Sequence, residues 1–333
     1  MFPAGMISLD SVREIGSGLN RPECVLAHSS GYLFAADWEG MGGVSLVAPD
    51  GTVRKILAKD RDRPLRPNGI ALEPDGSFLL AHLGEGEGGV YRLYPDGTSE
   101  AVLTHVGGQA LPPTNFVLLD ADGRRWITVS TRKSPRALGY RVDGGDGFVV
   151  LMDEAGARIV ADNLGYANEC ALAPDGSALY VNETFSRQLT RFELDKEGNC
   201  RSARTVATFG PGTFPDGLAF DREDGLWVTS IVSNRIIRVL PNGDQLLRLE
   251  DCDTEHLLWV EAAYESGTMG RPHLDDVRSS RLRNVSCLAF GGGDSCTAYL
   301  GCLLGDTVAM FRSDVPGRKP LHWDFDLSNL ELQ

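Results

Sequence analysis

At 333 residues, 42% hydrophobic and 23% charged, the chain can bury a large core and needs neither disulfide nor metal simply to fold. A formal charge of −14 excludes the Lys/Arg footprint that nucleic-acid phosphates require. No stretch approaches the roughly 18 apolar residues of a membrane span. The start, MFPAGMISLDSVREIG, has no basic segment before an apolar run, so no signal peptide is expected. A cytoplasmic protein with reduced thiols follows as the expectation, its seven cysteines being odd in number and without a CxxC pair.

In chain order, residues 6–15 read as a strand, and six copies of one pattern follow. They are RPECVLAHSSGYLFAAD from Arg21, RPNGIALEPDGSFLLAH from Arg66, PPTNFVLLDADGRRWIT from Pro112, YANECALAPDGSALYVN from Tyr166, FPDGLAFDREDGLWVTS from Phe214 and RNVSCLAFGGGDSCTAYLG from Arg283. At one equivalent position they carry Glu23, Asn68, Asn115, Asn168, Asp216 and Ser286, spaced by 45, 47, 53, 48 and 70 residues. A period in the forties, built of short β-rich runs and Gly/Asp turns, is the pattern of propeller blades with four strands each. The turns PDG, ADG, EDG and PNG supply the hairpin chemistry. In the fifth copy, GLAF, LWVTSI, RIIRVL and QLLRLE succeed one another as the strands of a meander. The expectation is an all-β, six-bladed β-propeller with four antiparallel strands per blade. It spans residues 1–333 as a single domain, with the strand at 6–15 closing the last blade. Residues 132–147 and 251–282 exceed what hairpins need and read as insertions, the first as a lid over one face.

Glu23, Asn115, Asn168 and Asp216 supply two carboxylates and two carboxamide oxygens from four different blades. Hard oxygen donors suit Ca²⁺, Mg²⁺ or Mn²⁺ better than Zn²⁺, whose sites usually include His or Cys. The competing reading makes these residues caps of inner-strand turns. Asn68 and Ser286 share the frame and would line the channel. Cys24, Cys170 and Cys287 follow key positions closely and read as small apolar fillers of the core. The six histidines show no ligand spacing, His273 alone being kept as a pocket candidate. GEGEGG at 84–89 lacks the Lys-Ser/Thr pair of a phosphate loop, and no G-x-S-x-G elbow occurs.

The segments PE at 22–23, TNFVLLDADGRRW at 114–126, ANECALAPDGSALYVNE at 167–183 and FPDGLAFDREDGLWV at 214–228 resemble the regucalcin–gluconolactonase family. They are more distantly similar to the diisopropylfluorophosphatase-like propellers. The resemblance covers about residues 15–312 and implies one divalent cation at the centre of one face of the ring. It makes Glu23, Asn168 and Asp216 the metal ligands, Asp216 also the base, and Asn115 a substrate contact. Ca²⁺ is the first choice of cation, with Mg²⁺, Mn²⁺ or Zn²⁺ as alternatives. Where the family's sugar-acid lactonases often carry an Arg two residues before the Asn, this chain has Pro113, so the basic substrate contact is expected from the first insertion, where Arg132, Lys133 and Arg136 lie close in sequence, Arg132 being taken first. With Asn68 and Ser286 this completes the expected substrate-binding set. The expected activity is metal-dependent hydrolysis of a lactone by a monomer or weak homo-oligomer. Alternatives are a related esterase or phosphotriesterase-like hydrolase, or a non-catalytic calcium- or ligand-binding propeller.

Overall fold

The computed structural model describes residues 5–332. Six four-stranded antiparallel sheets are arranged as the blades of a β-propeller. Their inner strands are Val25–Ala27, Pro67–Leu72, Thr114–Leu119, Ala167–Leu172, Phe214–Phe220 and Val285–Gly291. Each is followed within its blade by strands paired in sequence order, as turn signals every few residues dictate. At the turn 74–76, Asp75 Oδ1 accepts from Ser77 N at 2.9 Å and Gly76 takes φ +84°, which a side chain would resist.

The sixth blade is closed by the other end of the chain. Arg13–Ile15 pairs with Val308–Arg312, Arg13 opposite Met310 and Ile15 opposite Val308. This strand is shorter than the span 6–15 read from sequence, because Leu9–Ser11 winds into a 3-10 turn with Ser8 at its N-cap. Closure leaves the ring with no unpaired strand edge at its seam.

Asp and Trp residues of the repeat lock the blades locally. Trp126 Nε1 donates to Asp120 Oδ2 at 2.9 Å and Trp227 Nε1 to Asp221 Oδ2 at 2.8 Å, while the other oxygen of each Asp accepts two turn amides. Both indoles are fully buried. The blades pack face to face through apolar side chains such as Phe34, Phe78, Val149 and Leu179.

Two features of the inner strands position the site. In blades two to six the pairing with the second strand slips at the key position: between Pro67 and Ile70, Thr114 and Phe116, Ala167 and Cys170, Pro215 and Leu218, and Val285 and Cys287. Such a bulge breaks strict alternation, so successive residues can face the axis. Neighbouring inner strands also approach closely. A Cβ on Gly217 would lie 2.5 Å from Ser286 O, which explains why Gly follows Asp216.

Among the described residues the α-helices are α1, Thr254–Glu265, capped by Asp253 Oδ1, and α2, Arg271–Asp275. Both lie in the second insertion. The first insertion holds a 3-10 turn at Arg136–Gly139.

Candidate active site

The starts of the inner strands, bulged in blades two to six, and the residues just ahead of Val25 in blade one gather the six key residues at one mouth of the central channel, all but buried: Glu23 6%, Asn68 4%, Asn115 2%, Asn168 4%, Asp216 4% and Ser286 1% exposed. Their hydrogen bonds divide them by role. Asn168 Nδ2 donates to Thr184 Oγ1 at 3.0 Å, and that hydroxyl donates on to Pro215 O at 2.8 Å. Asn115 Nδ2 donates to Ser130 Oγ at 2.9 Å, while its Oδ1 accepts from Asn68 Nδ2 at 3.3 Å. The second-strand residues Thr184 and Ser130 therefore hold the amide nitrogens. The carbonyl oxygens of Asn168 and Asn68 are buried with no partner among the described residues. Asn182 Nδ2 donates at 3.0 Å to the carbonyls of both Asp216 and Gly217, fixing the backbone beneath the carboxylate.

Asp216 is held well above the usual carboxylate range, first by burial and then by the negative charge of Glu23. Arg21, Arg136 and a hydrogen bond from Asn168 offset this only in part. Arg21 Nη2 pairs with Glu23 Oε2 at 2.8 Å. Two carboxylates in one buried pocket, with an unpaired amide oxygen beside them, form a donor set that a divalent cation fits. It would satisfy the orphaned Asn168 oxygen and remove the repulsion between Glu23 and Asp216.

The other candidates fall in different places. Ser286 Oγ donates to Glu23 O at 2.8 Å, so it braces the backbone of Glu23. Arg132 is half exposed and engages Asp162 Oδ1 at 2.8 Å, Oδ2 at 3.1 Å and Asp146 O at 2.6 Å, with Phe148 under its guanidinium. The cation of this insertion that acts on Glu23 and Asp216 is Arg136. Its Nε donates to Tyr166 OH at 2.8 Å. His273 stacks on Trp259 at 4.1 Å, and its carbonyl oxygen lies 3.1 Å from His256 Nε2; it packs the second insertion together.

An aromatic wall stands at the same mouth, with Tyr166 and Phe214 just ahead of key positions and Tyr140, Phe185 and Tyr264 from other segments. Tyr140 stacks on Phe185 at 4.7 Å and meets Tyr166 edge-on at 5.4 Å, and Phe214 meets Tyr264 of α1 at 5.5 Å. Tyr264 OH donates to Phe185 O at 2.5 Å. Arg187 lies over Phe214 and Tyr264, at 4.3 and 4.0 Å, and its Nη1 bonds Glu261 Oε2 of α1 at 3.1 Å. The wall is not legible in the sequence, and Arg136 is one of three insertion cations the sequence offers, with Arg132 and Lys133. The only sequence signal was an aromatic two residues before Asn168 and Asp216, at Tyr166 and Phe214.

Residues 87–252 match the family model described as SMP-30/Gluconolactonase/LRE-like region. The 6-deoxy-6-sulfogluconolactonase of Pseudomonas putida is 30% identical over 131 residues, 38% of this chain and 42% of that protein, so less than half of this curated relative is matched. Among solved structures, a gluconolactonase from Xanthomonas campestris superposes with a TM-score of 0.65 at 20% identity, over 92% of this chain and 89% of that one. The calcium-binding protein regucalcin from Agrobacterium tumefaciens does so with a TM-score of 0.64 at 16% identity, over 92% and 93%. At such identities these two likenesses are of fold. Together with the repeat segments, the family match shows that the chain carries an SMP-30/Gluconolactonase/LRE-like region on a six-bladed propeller and belongs to that family.

Proposed function

We propose that this protein is a divalent-cation-dependent lactonase whose chemistry lies at the mouth formed by Glu23, Asn168 and Asp216. The observation that carries the reading is the pair of buried carboxylates beside the unpaired Asn168 oxygen, a hard-donor set whose charge Arg21 and Arg136 offset only in part. Ca²⁺ is the first candidate, with Mg²⁺, Mn²⁺ or Zn²⁺ as alternatives. When bound, such a cation supplies Lewis-acid polarisation of a carbonyl oxygen.

The chain's own residues do the rest. Asp216 takes a proton from the attacking water as the general base. Asn115 and Asn68, linked to each other and neutral, orient the substrate without adding negative charge. Arg136 would hold a hydroxyl-rich or acidic substituent of the lactone through its guanidinium. Tyr140, Tyr166, Phe185, Phe214 and Tyr264 form one buried apolar cluster that would exclude water beside the substrate. The 6-deoxy-6-sulfogluconolactonase relative and the match to a gluconolactonase family model support a sugar-type lactone. Seven unpaired cysteines support a reducing, cytoplasmic setting, and no helix among the described residues is long and apolar enough to cross a membrane.

The test is hydrolysis of a panel of sugar, aliphatic and aromatic lactones with and without chelator. Turnover that needs added cation and is lost in Asp216→Asn is the expected result. Cation-independent turnover overturns the mechanism. Tight cation binding without turnover on any lactone replaces the lactonase by a binding propeller.

A further inference from the structure

The channel contains a second cluster of ligating groups that the mouth does not use. One residue further along the inner strands from Glu23, Asn168 and Ser286 stand Cys24, Glu169 and Cys287, which are 2%, 7% and 4% exposed. They come from blades one, four and six. One donor atom from each, two Sγ and a carboxylate oxygen, lie within 4.8 Å of one another. In regular strands neighbours such as Asn168 and Glu169 would face opposite sides of the sheet. The slips between Ala167 and Cys170 and between Val285 and Cys287 are what let both members of each pair reach the axis.

Filling space does not explain this set. A core filler is apolar, and a glutamate set between two thiols and walled by Ile70, Phe116 and Leu218 is costly to bury as an ion. The surroundings prepare the donors instead. Leu218 N donates to Glu169 Oε2 at 2.9 Å, orienting the carboxyl and leaving its other oxygen available. Cys287 Sγ is held by the Val25 backbone, accepting from Val25 N at 3.5 Å and donating to Val25 O at 3.7 Å. Below the cluster a cavity of about 390 Å³ runs to the segment Arg318–His322 at the opposite end of the channel. It gives an ion a way in and leaves room for a water as fourth ligand.

We propose that Cys24, Glu169 and Cys287 bind a second divalent ion of the thiophilic class represented by Zn²⁺, stacked beneath the hard-donor site on the channel axis. Two thiolates and a carboxylate select Zn²⁺ over Ca²⁺ or Mg²⁺, which take oxygen ligands. Tetrahedral zinc, with Zn–S near ~2.3 Å and Zn–O near ~2.1 Å, needs donors roughly 3.5–3.8 Å apart, a range inside the 4.8 Å that bounds the three donors. Since Cys24 and Glu169 adjoin Glu23 and Asn168, the lower ion would also fix the backbone that carries two of the mouth's ligands. This site is independent of the lactonase reading and survives its failure.

The experiment is titration of the chelator-treated full-length protein with Co²⁺, followed by absorption. Wild type should develop thiolate-to-cobalt charge-transfer absorption saturating at one equivalent, bleached by Zn²⁺ and not by Ca²⁺. Cys24→Ser and Cys287→Ser should each lose most of that absorption. Cys170→Ser, a buried thiol outside the cluster, should keep it, and so should Glu23→Gln. Absence of the band in folded wild type, or its survival in the Cys24→Ser/Cys287→Ser double variant, overturns the proposal. If the serine variants do not fold, Glu169→Gln keeps the shape and the bond from Leu218 N. It must weaken Zn²⁺ binding at least tenfold, and unchanged affinity is equally fatal to the idea.

Discussion

Replacing Glu261 with alanine should release helix α1 from the face of the ring, and the structure sets the size of the effect. Glu261 and Arg187 are 14% and 11% exposed at their side chains and bond through both guanidinium nitrogens, while Gly212 N donates to Glu261 Oε1 at 2.8 Å. Removing one partner of a fully buried pair costs about 3–5 kcal/mol, because the other charge is left desolvated. The residual exposure here brings that to about 2–4 kcal/mol. The strands of blades four and five do not depend on the helix for their ladders, so the loss should appear as local opening. Hydrogen exchange across residues 254–275 should then quicken by roughly 30-fold to several hundred-fold, at about 1.4 kcal/mol per tenfold. Tyr264 would leave the aromatic wall, raising KM more than it lowers kcat. Replacing both partners with apolar residues should recover much of the loss. Exchange within twofold of wild type, with an unchanged melting temperature, would show that the clasp does not hold the insertion.

Other outcomes follow from the mouth itself. Asp216→Asn should keep the circular dichroism of the fold and lower kcat by about 10²–10⁴, the usual contribution of a general base; an unaltered rate removes Asp216 from that role. Glu23→Gln should weaken divalent-cation affinity, read by calorimetry, more than it lowers the melting temperature in excess cation. Arg136→Met should raise KM roughly 10- to 100-fold for hydroxylated or acidic lactones, from the loss of a charge-assisted bond, while Arg132→Ala should leave KM unmoved. In chelator, Asp216 keeps its proton to higher pH folded than unfolded, so its contribution is fullest below the ordinary carboxylate range near pH ~4 and is lost as pH rises. Asp216→Asn should therefore become progressively more stable than wild type as pH rises, and added cation should erase the difference. A gap in melting temperature that stays flat with pH contradicts the raised proton affinity.

The fold was readable because the repeat carries its own punctuation. PDG turns at regular spacing, and the Asp120–Trp126 and Asp221–Trp227 pairs, act within a single blade, where sequence neighbours are also spatial neighbours. The key positions were readable for the same reason: each begins an inner strand. Arg132 and Arg136 show where this ends. They sit four residues apart on one insertion, and only the packing of Tyr140 against Tyr166 and Phe185 decides which of them faces the carboxylates. Ser286, equivalent in frame to Asn168, braces Glu23 O instead of presenting its hydroxyl to the mouth. The aromatic wall was hidden because its members come from two insertions and three strand ends.

By itself, then, the sequence determined the six-fold ring and the oxygen donors at its mouth, since hairpin turns, strand alternation and repeat period are short-range properties written in each copy. The tertiary structure decided which cation faces Glu23 and Asp216 and which hydroxyls hold the asparagines. It also decided that Cys24, Glu169 and Cys287 meet on the axis. Those depend on slipped registers and on contacts between residues far apart in the chain, where one bulge reverses the direction that alternation assigns to a side chain.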